Sequence, residues 1–168
     1  IEEAFTTPPL EVYLLRRARS GDSIVRTTLT GTAETVYSHP HIEDFRATAG
    51  HLVIATLDDD DDPVLVTTRL DGTGERELEL PGPGTVTNLQ SADRGNVVGY
   101  TFTDASIGKT GGRESALFTA SLNDPEAAPT PIEIKGGDAR VDDWRFVPGT
   151  DSLLMLTYDG ALTLATAD

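Results

Sequence analysis

The chain has 168 residues, 38% of them hydrophobic, which is enough for one domain with a buried core, and no apolar run approaches the roughly 18 to 20 residues of a membrane helix. Its 28 Asp and Glu against 13 Lys and Arg give a formal net charge of −15, so the surface repels phosphate backbones and anionic lipid, and neither nucleic acid nor a membrane is an expected partner. There is no cysteine, which excludes disulfides, thiolate chemistry and Cys-based zinc sites together.

In chain order, short alternating runs rich in Thr, Val and Leu are broken by Gly, Pro and Asp. That is strand grammar, and no stretch as long as about 11 residues holds a helical period. The first unit, "IEEAFTTPPLEVYLL" (1–15), runs from an acidic stub through Phe5 and a Pro8-Pro9 turn into an apolar strand. A third strand follows at "IVRTTLTGTAET" (24–35) and a fourth at "TVYSH" (35–39). The second unit repeats the form: "IEDFRATAGHLVIATL" (42–57) with Phe45 as the anchor, then "VLVTTRLDGTGER" (64–76) and "RELEL" (76–80). The third has Leu89 as the anchor in "VTNLQSADRGNVVGYT" (86–101), followed by "ALFTASLNDPE" (116–126) and "PIEIK" (131–135). The fourth, "VDDWRFVPGTDSLLMLT" (141–157), is anchored by Trp144 and reaches a third strand at "ALTLATAD" (161–168).

The units begin at Ile1, Ile42, Val86 and Val141, and four units of four strands, less one, predict fifteen strands. A repeat of about 42 residues with four antiparallel strands is the signature of a β-propeller blade. One such meander cannot cover both of its faces, so blades stack face to face around an axis. A β-sandwich also uses short alternating strands but gives no reason for the stub–turn–run unit to recur. The expectation is therefore an all-β fold with blades at about 1–39, 40–83, 84–138 and 139–168. The second strands, "LVIAT", "VVGYT" and "LLMLT", are expected near the axis. The last blade lacks its fourth strand and leaves the edge of "LTLAT" open. This predicts a part of a larger propeller, covered by a longer parent chain or by an oligomer.

The segment "WRFVPGTDSLLMLTYDGALTLA" resembles the TolB-like, or WD40-like, β-propeller repeat, which runs aromatic, Pro, Asp/Gly turn, apolar strand, then "DG" before a strand. The resemblance covers the whole chain and is clearest in the second and fourth units; the third has neither Pro nor an aromatic in its stub. It implies a propeller, found in periplasmic and secreted binding proteins and as the gating domain of prolyl-oligopeptidase-type peptidases. An extracytoplasmic protein that binds a ligand or a protein follows as the expectation, with a gating propeller or a structural spacer as alternatives.

Motifs that look catalytic lack their context. "SGDSIV" (20–25) resembles the Gly-Asp-Ser of lipase-like hydrolases, yet "RRAR" precedes it and the last His is His51, so a hairpin turn is expected. "SIGKTGG" (106–112) ends like a phosphate-binding loop, but Thr103 stands where its first Gly belongs. No G-x-S-x-G elbow appears, so no catalytic residue and no cofactor are expected. His39 and His41 lie two apart beside Glu43 and Asp44 but lack a third convergent ligand, so no metal is expected there. Asp58, Asp59, Asp60, Asp61 and Asp62, followed by Pro63, lack the alternating spacing of an EF-hand and are expected in a solvated hairpin. In a propeller, loops between second and third strands emerge on one rim together with the links between blades. That rim would gather Asp58 to Asp62, His39, His41, Lys109, Arg113 and Arg140, the candidate binding residues for a protein or small-molecule ligand.

Overall fold

The computed structural model describes residues 4–7, 11–28, 31–92, 96–105, 115–132 and 141–166, the first four through their backbone pairing only. Among these residues every regular element is a strand. Sheet 1 holds β1 (Ala4–Thr7), β2 (Glu11–Arg16), β3 (Asp22–Thr28) and β4 (Ala33–His39) in chain order. Sheet 2 holds β5 (Ile42–Ala47), β6 (His51–Leu57), β7 (Pro63–Arg69) and β8 (Arg76–Leu78). Sheet 3 holds β9 (Gly84–Ser91), β10 (Val97–Asp104), β11 (Ser115–Ser121) and β12 (Thr130–Pro131), and sheet 4 holds β13 (Val141–Phe146), β14 (Ser152–Thr157) and β15 (Leu162–Thr166). Every pairing is antiparallel between consecutive strands, so each unit is a meander and the four form a run of propeller blades.

The core lies between sheets, in three separate clusters. Tyr13, Leu15 and Ile24 of sheet 1 meet Ile42, Phe45, Leu52 and Ile54 of sheet 2. Val53, Ala55, Leu65 and Leu78 on the other face of sheet 2 meet Val86, Leu89, Val98 and Tyr100 of sheet 3. Leu117 of sheet 3 meets Trp144, Leu153 and Met155 of sheet 4. This explains why β6 reads as an unbroken apolar run and is buried from Leu52 to Thr56: its alternate side chains serve two different interfaces. In β15, by contrast, no residue is buried, and Leu162 and Leu164 are 69% and 65% exposed. Among the described residues sheet 4 is covered on one face only.

The anchors Phe45, Leu89 and Trp144 are each buried against the preceding sheet. Trp144 also donates from Nε1 to Thr101 Oγ1 at 3.1 Å, so its polar edge is satisfied inside the interface.

The axis differs from the sequence expectation. First strands meet first strands from blade to blade, β1 with β5, β5 with β9 and β9 with β13, while the third strands β7 and β11 meet the next blade's first strand. The second strands occupy the middle of each sheet, which is why they carry the longest apolar runs. The innermost strands are instead the stubs, whose polar residues face the axis. Of the fourth strands, β8 ends at Leu78, short of the expected 76–80, and β4 starts earlier than expected, at Ala33; 133–135 of the expected strand at 131–135 lie outside the described residues.

Candidate functional site

The turns between β2 and β3, β6 and β7, and β14 and β15 leave the sheets at one end, together with the links from β4 to β5 and β8 to β9. The acidic turn closes on itself. Asp58 Oδ1 accepts from the amides of Asp60 and Asp62, both at 2.9 Å, and the Asp58 amide donates to the Asp62 carbonyl at 2.8 Å. Asp61 takes a left-handed conformation at φ 64°, one that Asp tolerates better than most side chains. Asp58 thus shapes the turn and the other four carboxylates sit around it. Among the described residues no three His, Cys, Asp or Glu side chains converge to hold a metal ion.

His39 and His41 do not share a strand face. His39 ends β4, Ile42 begins β5, and the two rings sit on the link between them. His39 Nδ1 lies 2.6 Å from Thr56 Oγ1 and 2.8 Å from the His41 carbonyl, which pins its ring to β6. The Thr56 hydroxyl also donates to the His41 carbonyl. His41 turns outward, with Nε2 2.9 Å from Glu43 Oε1. The two imidazoles therefore have separate partners. Lys109, Arg113 and Arg140 lie outside the described residues.

Beside His39 the same rim holds an open cavity of about 600 Å³, lined by Arg16, Ser20, Gly21, Asp22, Ser23 and His39 among others. Its walls are tied down. Asp22, buried at 7% exposure, accepts from Arg17 Nη1 and from the Ile42 amide, both at 3.0 Å, and so fastens the start of β3 to the start of β5. Gly21 sits at φ 121°, and a Cβ there would lie 3.2 Å from the His39 carbonyl oxygen, so this turn packs directly on the neighbouring link. Arg16 Nε donates to Ser23 Oγ at 3.1 Å. Ser23, Asp22 and His39 each have other partners, and no hydrolase-type relay joins them. Sequence reasoning expected a hairpin turn at 20–25 and placed His39 on this rim, but did not single out Arg16. Its side chain meets that of Ser23 because the two residues pair across the turn.

At the axis a second polar groove, of about 320 Å³, is lined by Arg46, Asn88, Gln90, Ser91 and Arg145. It is built by one device used twice and varied once. In β5, Asp44 Oδ1 accepts from the Phe45 amide at 2.7 Å and from Arg46 Nη1 at 2.6 Å, while Arg46 also donates to the Phe45 carbonyl. In β13, Asp143 Oδ1 accepts from the Trp144 amide at 2.8 Å and pairs with Arg145 Nη1 at 3.0 Å, and Arg145 donates to the Trp144 carbonyl. Both strands carry a bulge at the Asp, between Ile42 and Asp44 and between Val141 and Asp143. The third blade replaces Asp–aromatic–Arg by Asn88–Leu89–Gln90, and Gln90 Nε2 donates to Asn88 Oδ1 at 3.0 Å and to the Trp144 carbonyl at 2.9 Å. The clasp turns the flanking polar side chains toward the axis while the anchor between them enters the core.

No protein-family model matches the sequence, and no curated protein matches it. Solved structures do match in fold. The chain is similar to the tricorn protease at TM-score 0.67 and 14% identity, covering 92% of this chain and 16% of that one. It is similar to a prolyl endopeptidase studied for its inter-domain dynamics at TM-score 0.60 and 14% identity, covering 96% and 23%. A chain of the nidogen/laminin complex matches at TM-score 0.58 and 13% identity, covering 88% and 52%. The chain thus spans less than a quarter of the two peptidases. These neighbours are β-propeller proteins, and at such identities what they share with this chain is the propeller fold.

Proposed function

We propose that the chain is a non-catalytic segment of a TolB-like propeller, working outside the cytoplasm and binding a small polar ligand or a protein segment on the rim formed by the β2–β3 turn and the β4–β5 link. The observation that carries this reading is the cavity beside His39. It is polar, open and walled by turns that Asp22 and Gly21 hold rigid, the arrangement in which a scaffold presents binding groups. Ser23 and His39 are engaged elsewhere, which supports binding over turnover. The test is an amide-resolved NMR titration with a mixture of free amino acids and dipeptides. Saturable shifts clustered on Arg16, Ser20 to Ser23 and His39 support the reading; shifts confined to another part of the molecule sink it.

The second reading is the gating propeller of a larger hydrolase of the prolyl-oligopeptidase type. It is favoured by the likeness to two peptidases of which the chain spans a small share. A parent sequence carrying G-x-S-x-G in a further several hundred residues would decide for it.

In either case the outer face of sheet 4 seats another strand unit. By register, Leu154 and Leu156 hold the places of Val53 and Ala55, and Leu162 holds that of Leu65. In sheet 2 those residues are buried by sheet 3, whereas Leu154 is 43% exposed. A further blade, from the parent chain or from a second copy, covers this face.

A further inference from the structure

A second site lies on the opposite rim, between sheets 2 and 3. The face of sheet 2 that meets sheet 3 begins as a dry core of Val53, Leu65 and Leu78. Toward the β7–β8 turn the same face becomes polar. Register places the residues: His51 pairs with Arg69, and Thr67 pairs with Arg76. Thr67 and Arg69 are two apart in β7, so all four side chains stand on one face. Across from them the chain leaving β11 supplies Asn123 and Pro125, and the cleft so enclosed measures about 250 Å³.

Two features mark this cleft as built for a ligand. Three buried side-chain polar atoms among the described residues lack a hydrogen-bond partner, and two of them, His51 Nδ1 and Thr67 Oγ1, belong to residues that line this one space. Thr67 is 4% exposed and its hydroxyl is buried without a partner, and a buried polar group left unpaired is destabilising. The second feature is charge. In a chain of net charge −15, the described lining contains two guanidinium groups and no carboxylate. Arg69 is positioned by the turn it borders, with Nη1 3.6 Å from where a Cβ on Gly74 would stand. Asp71 in the same turn has Oδ1 occupied by the amide and hydroxyl of Thr73, at 2.9 and 2.6 Å.

We infer that this cleft binds a small oxyanion, the phosphate or carboxylate group of a ligand. Arg69 and Arg76 supply the charge, and Thr67 Oγ1 and His51 Nδ1, in the tautomer that carries its proton there, donate from the buried floor. Fixed donors of this kind recognise an anion by converging on its oxygens, and Arg does so through paired N–H groups. The space suits a single oxyanion group and is smaller than the pockets that enclose drug-sized molecules.

The test is calorimetric titration of the 168-residue chain with inorganic phosphate and, separately, with succinate. Saturable binding of either, at a dissociation constant of about 1 mM or tighter, is expected, and the anion that binds identifies the group recognised. Replacing both arginines, Arg69→Gln with Arg76→Gln, should weaken it at least about tenfold; both are exposed, so the fold should survive. Thr67→Val tests the buried donor and should weaken binding while leaving the charge in place. The same variants report the amide shifts of His51 and Asn123, which should move with anion in the wild type and not in the double variant. The inference is overturned if neither anion binds at about 10 mM, or if binding is unchanged by the double substitution.

Discussion

Gly99 and Trp144 are complementary across two blades: a Cβ on Gly99 would stand 2.7 Å from Trp144 Cη2 and 2.9 Å from Cζ3. The largest side chain of the protein enters its interface only because the strand it packs on carries no side chain at that point. Trp144→Ala should therefore cost about 3–5 kcal/mol by leaving a cavity, and Gly99→Val about 1–3 kcal/mol or more by overfilling. The two should be non-additive, with Trp144→Leu recovering part of the Gly99→Val loss, because one volume serves both residues. Urea denaturation of the single and double variants checks this. Additive losses would mean that the two side chains are not in contact.

Alkaline stability should follow the buried phenols. Burial, and then the Glu11 carboxylate that accepts from its hydroxyl, push Tyr13 up to about 12, and burial, with Glu75 nearby, pushes Tyr37 up to about 12. Burial raises Tyr100 as well. The unfolded chain releases these protons first, near pH 10, so it binds fewer protons than the native chain between about pH 10 and 12, and stability falls as pH rises through that window. Denaturation midpoints measured from pH 8 to 12 should drop above about pH 10, with a shallower slope in Tyr37→Phe. A flat profile over that window contradicts the burial of these hydroxyls.

The acidic hairpin should be insensitive to its charges except at one position. Asp58 holds the turn, so Asp58→Ala should cost about 1 kcal/mol, while replacing Asp59, Asp60 and Asp62 together by Ser should change stability by less than about 0.5 kcal/mol. Calcium should shift the melting temperature little. A saturable calcium effect that disappears in the Ser variant would establish a cation site there.

Hydrolytic activity is not expected. Assays of the purified chain against ester and peptide substrates should show no turnover above the uncatalysed rate. Turnover that vanishes in Ser23→Ala would reverse the non-catalytic reading.

Self-association should be driven by the uncovered face of sheet 4. Light scattering over a concentration series should show dimers or larger species, and Leu162→Lys with Leu164→Lys should return the chain to a monomer. A wild-type chain that stays monomeric at about 100 μM would contradict self-association through this face.

The fold was legible because burial writes itself into alternation: strands such as β6 that serve two interfaces read as unbroken apolar runs, and the repeating anchors Phe45, Leu89 and Trp144 marked the units. The axis was misread for the same reason. Apolar runs suggested the inner position, whereas the innermost strands are the polar stubs, whose Asp44–Arg46 and Asp143–Arg145 clasps depend on a bulge that no composition reveals. His39 and His41 were legible as lacking a third convergent ligand, but their separate partners were not, because the chain turns between β4 and β5 and strand periodicity does not cross a turn. The cleft of His51, Thr67, Arg69 and Arg76 carries no motif at all; its members come from three strands and meet only through register.

Among the described residues the chain is a run of stacked blades in which β15 pairs along one edge only. Residue-resolved hydrogen exchange on the dilute monomeric chain tests this most directly. Amides of β6 and β10, paired on both sides, should be the most protected, and β15, paired on one side to β14 alone among the described residues, should exchange far faster. A monomer in which Leu162 to Thr166 are as protected as β7 would mean that this edge is already closed within the chain, and would contradict the account.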